Sequence, residues 1–212
     1  MNEPNVVLVP TGAANLASVR AALGRAGASV REPQRATDID AAPFVVLPGV
    51  GAFAAARERL VARGYWEPLA RRLRDGRPTL AVCLGLQLLT EGSDESPGIP
   101  GMGLVPGRVT RFPNGLRVPQ MGWNRVEAPF GSLLGDGSAY FANTYRLVDA
   151  PEGWAVTRSD YGGRFVAALE RGGVLACQFH PELSGAWGRT VITRWLREAP
   201  LRAGEASCSR SG

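Results

Sequence analysis

Two short segments of the 212-residue chain hold side chains that can break an acyl bond. The first is Leu80-Ala81-Val82-Cys83-Leu84-Gly85-Leu86-Gln87, where an apolar run of strand character gives way to helical spacing. Small residues two before and two after Cys83, here Ala81 and Gly85, permit a tight strand–turn–helix elbow. Such a turn exposes a nucleophile and leaves the next backbone N–H available to an oxyanion. A helix start beside the sulfur also favours thiolate over thiol. Taken alone, the same pattern reads equally well as an inert buried cysteine.

The second segment is Cys177-Gln178-Phe179-His180-Pro181-Glu182. Pro181 drives His180 into an extended conformation. Positions 180 and 182 of an extended segment point the same way, so Glu182 can accept from the imidazole and fix its tautomer. Cysteine, imidazole and carboxylate are the nucleophile, base and orienter of a cysteine hydrolase. A lone histidine is more often structural than catalytic, but a His-Pro-Glu at a strand end, beside one elbow cysteine, tips the balance to catalysis. A third segment, Pro48-Gly49-Val50-Gly51, is a glycine-rich turn after an apolar run. It can aim backbone N–H groups at developing carbonyl charge, although plain turns share the pattern.

Composition narrows the chemistry. Twenty-four basic residues against 19 acidic ones give +5, and every basic residue is arginine. Without lysine there is no Schiff base and no lysine general base. One histidine excludes a zinc site built on several imidazoles, and three scattered cysteines make neither a disulfide framework nor a Cys-rich metal site. No cofactor is expected. Seven arginines between Arg57 and Arg77 face only Glu58, Glu67 and Asp75, a local excess of +4. Arg57, Arg63 and Arg71 alternate with Leu60, Leu69 and Leu73 at helical spacing, which favours a solvated helix face over a nucleic-acid patch. No apolar stretch approaches the roughly 18 residues of a membrane span. No signal peptide is visible, so a cytoplasmic protein is expected.

These segments need a scaffold. Val6–Val9, Phe44–Leu47 and Thr79–Val82 read as buried strands and Val30 as part of a weaker one. Helical spacing covers Leu16 to Ala26, capped by Asn15, then Ala52 to Ala62, Trp66 to Asp75 and Leu84 to Leu89. Strand and helix in alternation predict an α/β fold, a mostly parallel central sheet flanked by helices. After about Gly92 short runs replace helices (Gly107–Phe112, Trp123–Glu127, Tyr140–Ala142, Phe165–Glu170, Val174–Phe179), predicting a strand-rich second half that a helix from Gly185 to about Arg197 closes. Residues 1–199 are expected to form one domain, and 200–212 a disordered tail.

Together the segments resemble the class I (triad) glutamine amidotransferases over nearly the whole chain. Members carry C-L-G-x-Q and, about a hundred residues later, H-P-E, matched by Cys83 to Gln87 and His180 to Glu182. The resemblance implies that Cys83 attacks the glutamine amide carbon, with His180 moving protons and Glu182 holding the ring. It also implies an oxyanion hole from the backbone N–H groups of Val50 and Leu84, and glutamine binding by Gly49, Gly51, Gln87, Thr144 and Tyr145.

Three further segments resemble the glutaminase subunits of imidazole glycerol phosphate synthases. Val118-Pro119-Gln120-Met121-Gly122-Trp123-Asn124 is similar to V-P-H-M-G-W-N, Tyr140-Phe141-Ala142-Asn143-Thr144-Tyr145 to Y-F-V-H-S-Y, and Thr11 to Val19 to a glycine-and-Asn-Leu turn. That likeness implies a heterodimer with a (β/α)8-barrel cyclase receiving ammonia within histidine biosynthesis. Asn15, Pro119, Gln120, Met121, Gly122, Trp123, Asn124 and Tyr140 would lie at the interface. Gln120 and Asn143 stand where histidines are usual, and Leu183 where a basic residue is common. The alternatives are a same-fold glutaminase of another pathway, a stand-alone cysteine hydrolase or γ-glutamyl peptidase, and a silent binding subunit, which the intact triad disfavours.

Overall fold

The computed structural model describes residues 3–12 and 16–208. In chain order the elements are β1 (Asn5–Leu8), α1 (Leu16–Arg25), β2 (Ser29–Arg31), α2 (Ala36–Ala41), β3 (Phe44–Leu47), α3 (Phe53–Ala62), α4 (Trp66–Arg74), β4 (Thr79–Val82) and α5 (Leu84–Leu88). The second half holds β5 (Gly92–Ser93), β6 (Arg108–Arg111), β7 (Gln120–Val126), β8 (Gly137–Asn143), β9 (Tyr145–Arg146), β10 (Ala155–Asp160), β11 (Arg164–Arg171), β12 (Val174–Cys177), a 3-10 turn at Pro181–Leu183, and α6 (Gly185–Cys208).

Seven strands form one sheet in the order β10-β11-β12-β4-β3-β1-β2. The run from β12 to β2 is parallel, and β11 and β10 extend it antiparallel. The central strands β3, β4 and β12 are buried at every position, as strands covered on both faces must be. Alternation then sorts side chains between two cores. Val6, Leu8, Val46 and Leu80 pack with Val19 and Leu23 of α1 and Ile192 and Trp195 of α6. Val7, Val45, Leu47 and Ala81 pack with Ile39 of α2, Phe53 and Leu60 of α3 and Leu69 and Leu73 of α4. The expected mostly parallel α/β sheet with a strand-rich second half is the observed architecture.

Several elements differ from expectation. The helix α2, whose Ala-Thr-Asp-Ile-Asp-Ala buries only Ile39, and the edge strand β10 have no counterpart in the sequence pattern. The expected helix cap Asn15 lies outside the described residues. The closing helix was expected to end near Arg197 and give way to disorder from Pro200, but α6 continues through Pro200 to Cys208. Pro200 is exposed and the adjacent Ala199 fully buried, so the proline's lost hydrogen bond falls on the solvent side. Arg202 then ties the next turn down, pairing with Glu170 at 3.5 Å and donating to the Gly131 carbonyl at 2.8 Å. In the arginine-rich stretch Arg63 and Arg71 are exposed, as a solvated helix face requires, but Arg72 is 1% exposed. Its guanidinium donates to Thr79 Oγ1 and to the carbonyls of Ile39, Ala42, Pro43 and Pro78, and burial lowers its pKa to about 9.

This topology brings the reactive segments together. Pro48-Gly49-Val50-Gly51 leaves β3, Cys83 leaves β4 and His180 follows β12. These three strands are neighbours and parallel, so all three segments emerge at one edge of the sheet. Carboxyl ends of parallel strands are where open α/β sheets bind ligands.

Candidate active site

Cys83 sits at φ 53° and ψ −106°, and among the described residues no other non-glycine has a positive φ. A conformation of this kind costs of order 1–3 kcal/mol and persists only where its surroundings enforce it. Here the Cys83 N–H donates to the Cys177 carbonyl at 2.7 Å, which ties the elbow to β12. The small flanking residues are explained by contact: a Cβ on Gly85 would lie 2.4 Å from the Leu47 carbonyl oxygen and 3.4 Å from Ala81 Cβ.

His180 Nδ1 and Glu182 Oε1 are 2.8 Å apart, with side chains 5% and 6% exposed. His180 is extended, at φ −103° and ψ 95°, but Glu182 is delivered by the 3-10 turn and not by strand alternation. The contact is the expected one and its cause differs. The turn is held in place by His180 N–H donating to the Tyr140 carbonyl at 2.9 Å and by Ser184 Oγ donating to the His180 carbonyl at 2.6 Å. With Nδ1 donating to the carboxylate, Nε2 is the ring nitrogen left for the Cys83 sulfur, whose influence reaches the ring. Burial disfavours a charged ring, but the Cys83 sulfur and the Glu182 carboxylate outweigh this and push the His180 pKa up to about 10.

The glycine-rich turn is close but not poised. The Leu84 N–H donates to the Gly49 carbonyl at 3.2 Å, so a carbonyl oxygen occupies the donor that an oxyanion would need. Gly49 is required there, because a Cβ would meet Leu84 Cβ at 2.6 Å. Thr11 Oγ1 donates to the Pro48 carbonyl at 3.0 Å and fastens this turn to the end of β1.

Two cavities adjoin Cys83 and His180. One, of about 150 Å³, is lined by Cys83, Leu84, Gln87, Gly51, Thr144 and Tyr145, with Val50, Glu95, Ala142 and Asn143. Four of the five expected glutamine-binding residues therefore meet at one pocket. The fifth, Gly49, lines the other cavity, of about 210 Å³, with Val19, Val82, Met121, Tyr140, His180, Glu182 and Leu183 among its neighbours.

A family model described as glutamine amidotransferase class-I matches residues 13–198. The chain belongs to the class-I glutamine amidotransferases. Among curated relatives, the imidazole glycerol phosphate synthase subunit HisH of Deinococcus radiodurans is 44% identical, covering 92% of this chain and 94% of the relative. The HisH of Symbiobacterium thermophilum is 39% identical over 91% and 93%. The Arabidopsis thaliana protein named imidazole glycerol phosphate synthase hisHF is 40% identical over 90% of this chain but only 34% of its own length. A crystal structure of a glutamine amidotransferase shares the fold at TM-score 0.72 and 22% identity, covering 94% of this chain and 98% of that one.

In this amidotransferase the expected interface residues do not all face outward. Pro119, Met121 and Trp123 are exposed, Gly122, Asn124 and Tyr140 half-buried, and Asn15 lies outside the described residues. Asn124 is engaged within the fold, its Nδ2 donating to the Asp160 carbonyl at 2.7 Å. Gln120 is buried and stands opposite Asn143 across β7 and β8, so these two departures from the resemblance are neighbours in register. Two further residues border Cys83 or its pocket, and no local sequence pattern marks either. Glu95 lines the pocket beside Cys83 and Gln87, its Oε2 accepting from the Phe53 N–H at 2.8 Å. Gln178, 0% exposed, touches Cys83.

Proposed function

We propose that this amidotransferase is the glutaminase subunit of an imidazole glycerol phosphate synthase and hydrolyses glutamine with Cys83, His180 and Glu182. The observation that carries the chemistry is Cys83 on its elbow, bordering a polar pocket and sharing an environment with the buried His180–Glu182 pair. The pathway rests on the HisH relatives, which are named as subunits of that synthase.

Glutamine enters the pocket of Gln87, Thr144 and Tyr145, with the Glu95 carboxylate suited to its α-ammonium group. The Cys83 thiol passes its proton to His180 as the sulfur attacks the side-chain amide carbon, and charge collects on the amide oxygen. Its stabilisation requires the Gly49–Val50 peptide to rotate. That rotation removes the Gly49 carbonyl from the Leu84 N–H and turns the Val50 N–H toward the site, and each such donor is worth about 3 kcal/mol. With its pKa near 10, His180 holds a proton at neutral pH and gives it to the departing nitrogen as the C–N bond breaks. Ammonia leaves and a thioester remains. The acylated sulfur is uncharged, so one cause of the raised pKa disappears, and the neutral ring now takes a proton from water. Hydroxide attack on the thioester breaks the C–S bond and releases glutamate.

The second cavity supplies an exit. Val19, Val50, Val82, Met121, Ala142 and Leu183 give it a largely apolar wall that reaches the surface at Met121 and Leu183, and a (β/α)8-barrel cyclase docked there would receive ammonia without its passing through bulk water. The closed Leu84 N–H also argues that the isolated chain is a poor glutaminase until its partner is added, which separates this reading from a stand-alone hydrolase.

The test is Cys83→Ala in the complex with a barrel cyclase. Glutamine-dependent synthesis should vanish while synthesis from free ammonium persists. Loss of both activities would remove Cys83 from a purely glutaminase role, and full glutamine hydrolysis by the unpartnered wild-type chain would favour the stand-alone enzyme.

A further inference from the structure

We infer that Gln178 is a positioning residue that presents a hydrogen-bond donor to the Cys83 sulfur, its orientation being dictated by Gln87 and the Tyr145 carbonyl. The inference rests on the reading of Cys83 as nucleophile and adds to it the group that sets the sulfur's reactivity.

Three contacts form a chain. Gln87 Nε2 donates to the Tyr145 carbonyl at 3.2 Å and to Gln178 Oε1 at 3.0 Å, and Gln178 Nε2 donates to Cys83 Sγ at 3.5 Å. Amide groups can usually be turned end for end, but this pair cannot. A backbone carbonyl only accepts, so the end of Gln87 that meets Tyr145 must be its NH2. That NH2 also meets Gln178, so Gln178 must offer its oxygen there and turn its own NH2 to the sulfur. The carbonyl of one pocket residue therefore determines what the nucleophile sees, two side chains away. Burial makes the arrangement consequential: Gln178 is 0% exposed and Gln87 5%, so neither amide can satisfy itself with water.

A donor aimed at sulfur stabilises the charged form over the neutral thiol. It also fixes the direction of the lone pair used in attack. Gln178 is fully buried and its Nε2 meets the Cys83 sulfur directly, so the group it acts on is the sulfur. The residue sits two positions before His180 on the same strand exit, and its own N–H donates to the Ala167 carbonyl at 2.8 Å. The strand that delivers the proton carrier thus delivers the sulfur's donor as well.

The experiment uses Gln178→Met, which keeps length and removes the donor, and Gln178→Glu, which keeps shape and places a carboxylate at the sulfur. Kinetics are measured in the complex with the cyclase. Alkylation of the full chain by iodoacetamide is followed across pH at the Cys83 peptide by mass spectrometry. Gln178→Met should lower kcat for glutamine by on the order of tenfold to a hundredfold, the worth of a hydrogen bond to a charged group, with KM little changed. Its Cys83 alkylation profile should move to higher pH, and Gln178→Glu should move it further. A folded Gln178→Met with wild-type kcat and an unshifted profile overturns the proposal. If Gln178→Met does not fold, an unshifted profile in Gln178→Glu overturns it equally. Normal Gln178 variants beside an inactive Cys83→Ala sink this inference alone, whereas an active Cys83→Ala removes the nucleophile assignment too.

Discussion

A buried imidazole between a sulfur and a carboxylate titrates as a member of that group and not as a free histidine. The pKa of His180 rises from 6.5 to about 10, so its partners stabilise the fold fully below pH 6.5 and lose that contribution as pH climbs through 10. Glu182→Gln removes one of the two raising partners. The gap in unfolding free energy between wild type and Glu182→Gln should be widest at acidic pH, just below 6.5, and narrow steadily toward 10. Urea denaturation at a series of pH values measures it, and a gap of constant size would disprove the ionic coupling. The proposed cysteine and histidine were legible because their types are rare: one histidine and one elbow cysteine leave few ways to assemble a hydrolase. Gln178 and Glu95 were not legible, because neither side chain belongs to a local pattern that marks a site. What distinguishes Gln178 is a partner 95 positions away, and that of Glu95 lies 42 positions away.

The elbow between β4 and α5 depends on a close approach to β3 that a single methyl group would prevent. Gly85→Ala would place Cβ 2.4 Å from the Leu47 carbonyl oxygen, a backbone atom that cannot swing aside. Overpacking of this kind costs about 1–3 kcal/mol, and because it moves the turn that carries Cys83, glutamine hydrolysis should fall far more than stability does. Gly24→Ala in α1 is the control: nothing lies within 4 Å of its Cβ, and the change should be neutral or stabilise by about 0.5–1 kcal/mol. Equal losses in the two variants would show that the elbow is not under steric constraint. The same local logic explains which elements the sequence disclosed. Phe44–Leu47 and Thr79–Val82 are buried on both faces and announce themselves as unbroken apolar runs. In contrast, α2 has one buried side chain and β10 ends in Arg-Ser-Asp, so both exist through their neighbours. The extension of α6 past Pro200 is also tertiary, secured by Arg202 on Glu170 and Gly131, and no propensity would have suggested it.

Charge and apolar surface divide the molecule into two regions with separate duties. Much of the positive excess lies on α3 and α4. There Arg71 pairs with Asp40 at 3.0 Å, Arg57 stacks 5.3 Å above Trp66, and Arg72 disappears into the interior to bind carbonyls. That region holds the scaffold together. The region beside the His180–Glu182 cavity is different: Met121 is 68% exposed, Trp123 59% and Leu183 43%. Large apolar groups clustered in solvent mark a contact surface, and here Met121 and Leu183 line the proposed ammonia exit. Trp123 is the anchor to test, because its ring meets Tyr140 edge-on at 6.1 Å and reaches toward Gly185 while staying largely exposed. Aromatic anchors of this kind dominate interface energetics, so Trp123→Ala should weaken association with the barrel cyclase by at least about tenfold. The stability of the isolated chain should stay within about 0.5 kcal/mol of wild type, as for other surface positions. Both quantities are accessible, one by titration calorimetry and the other by urea denaturation. An unchanged Kd would move the partner to another face and detach the cavity at His180 from ammonia transfer. A weakened complex with an intact chain would place the docking surface at the mouth of that cavity.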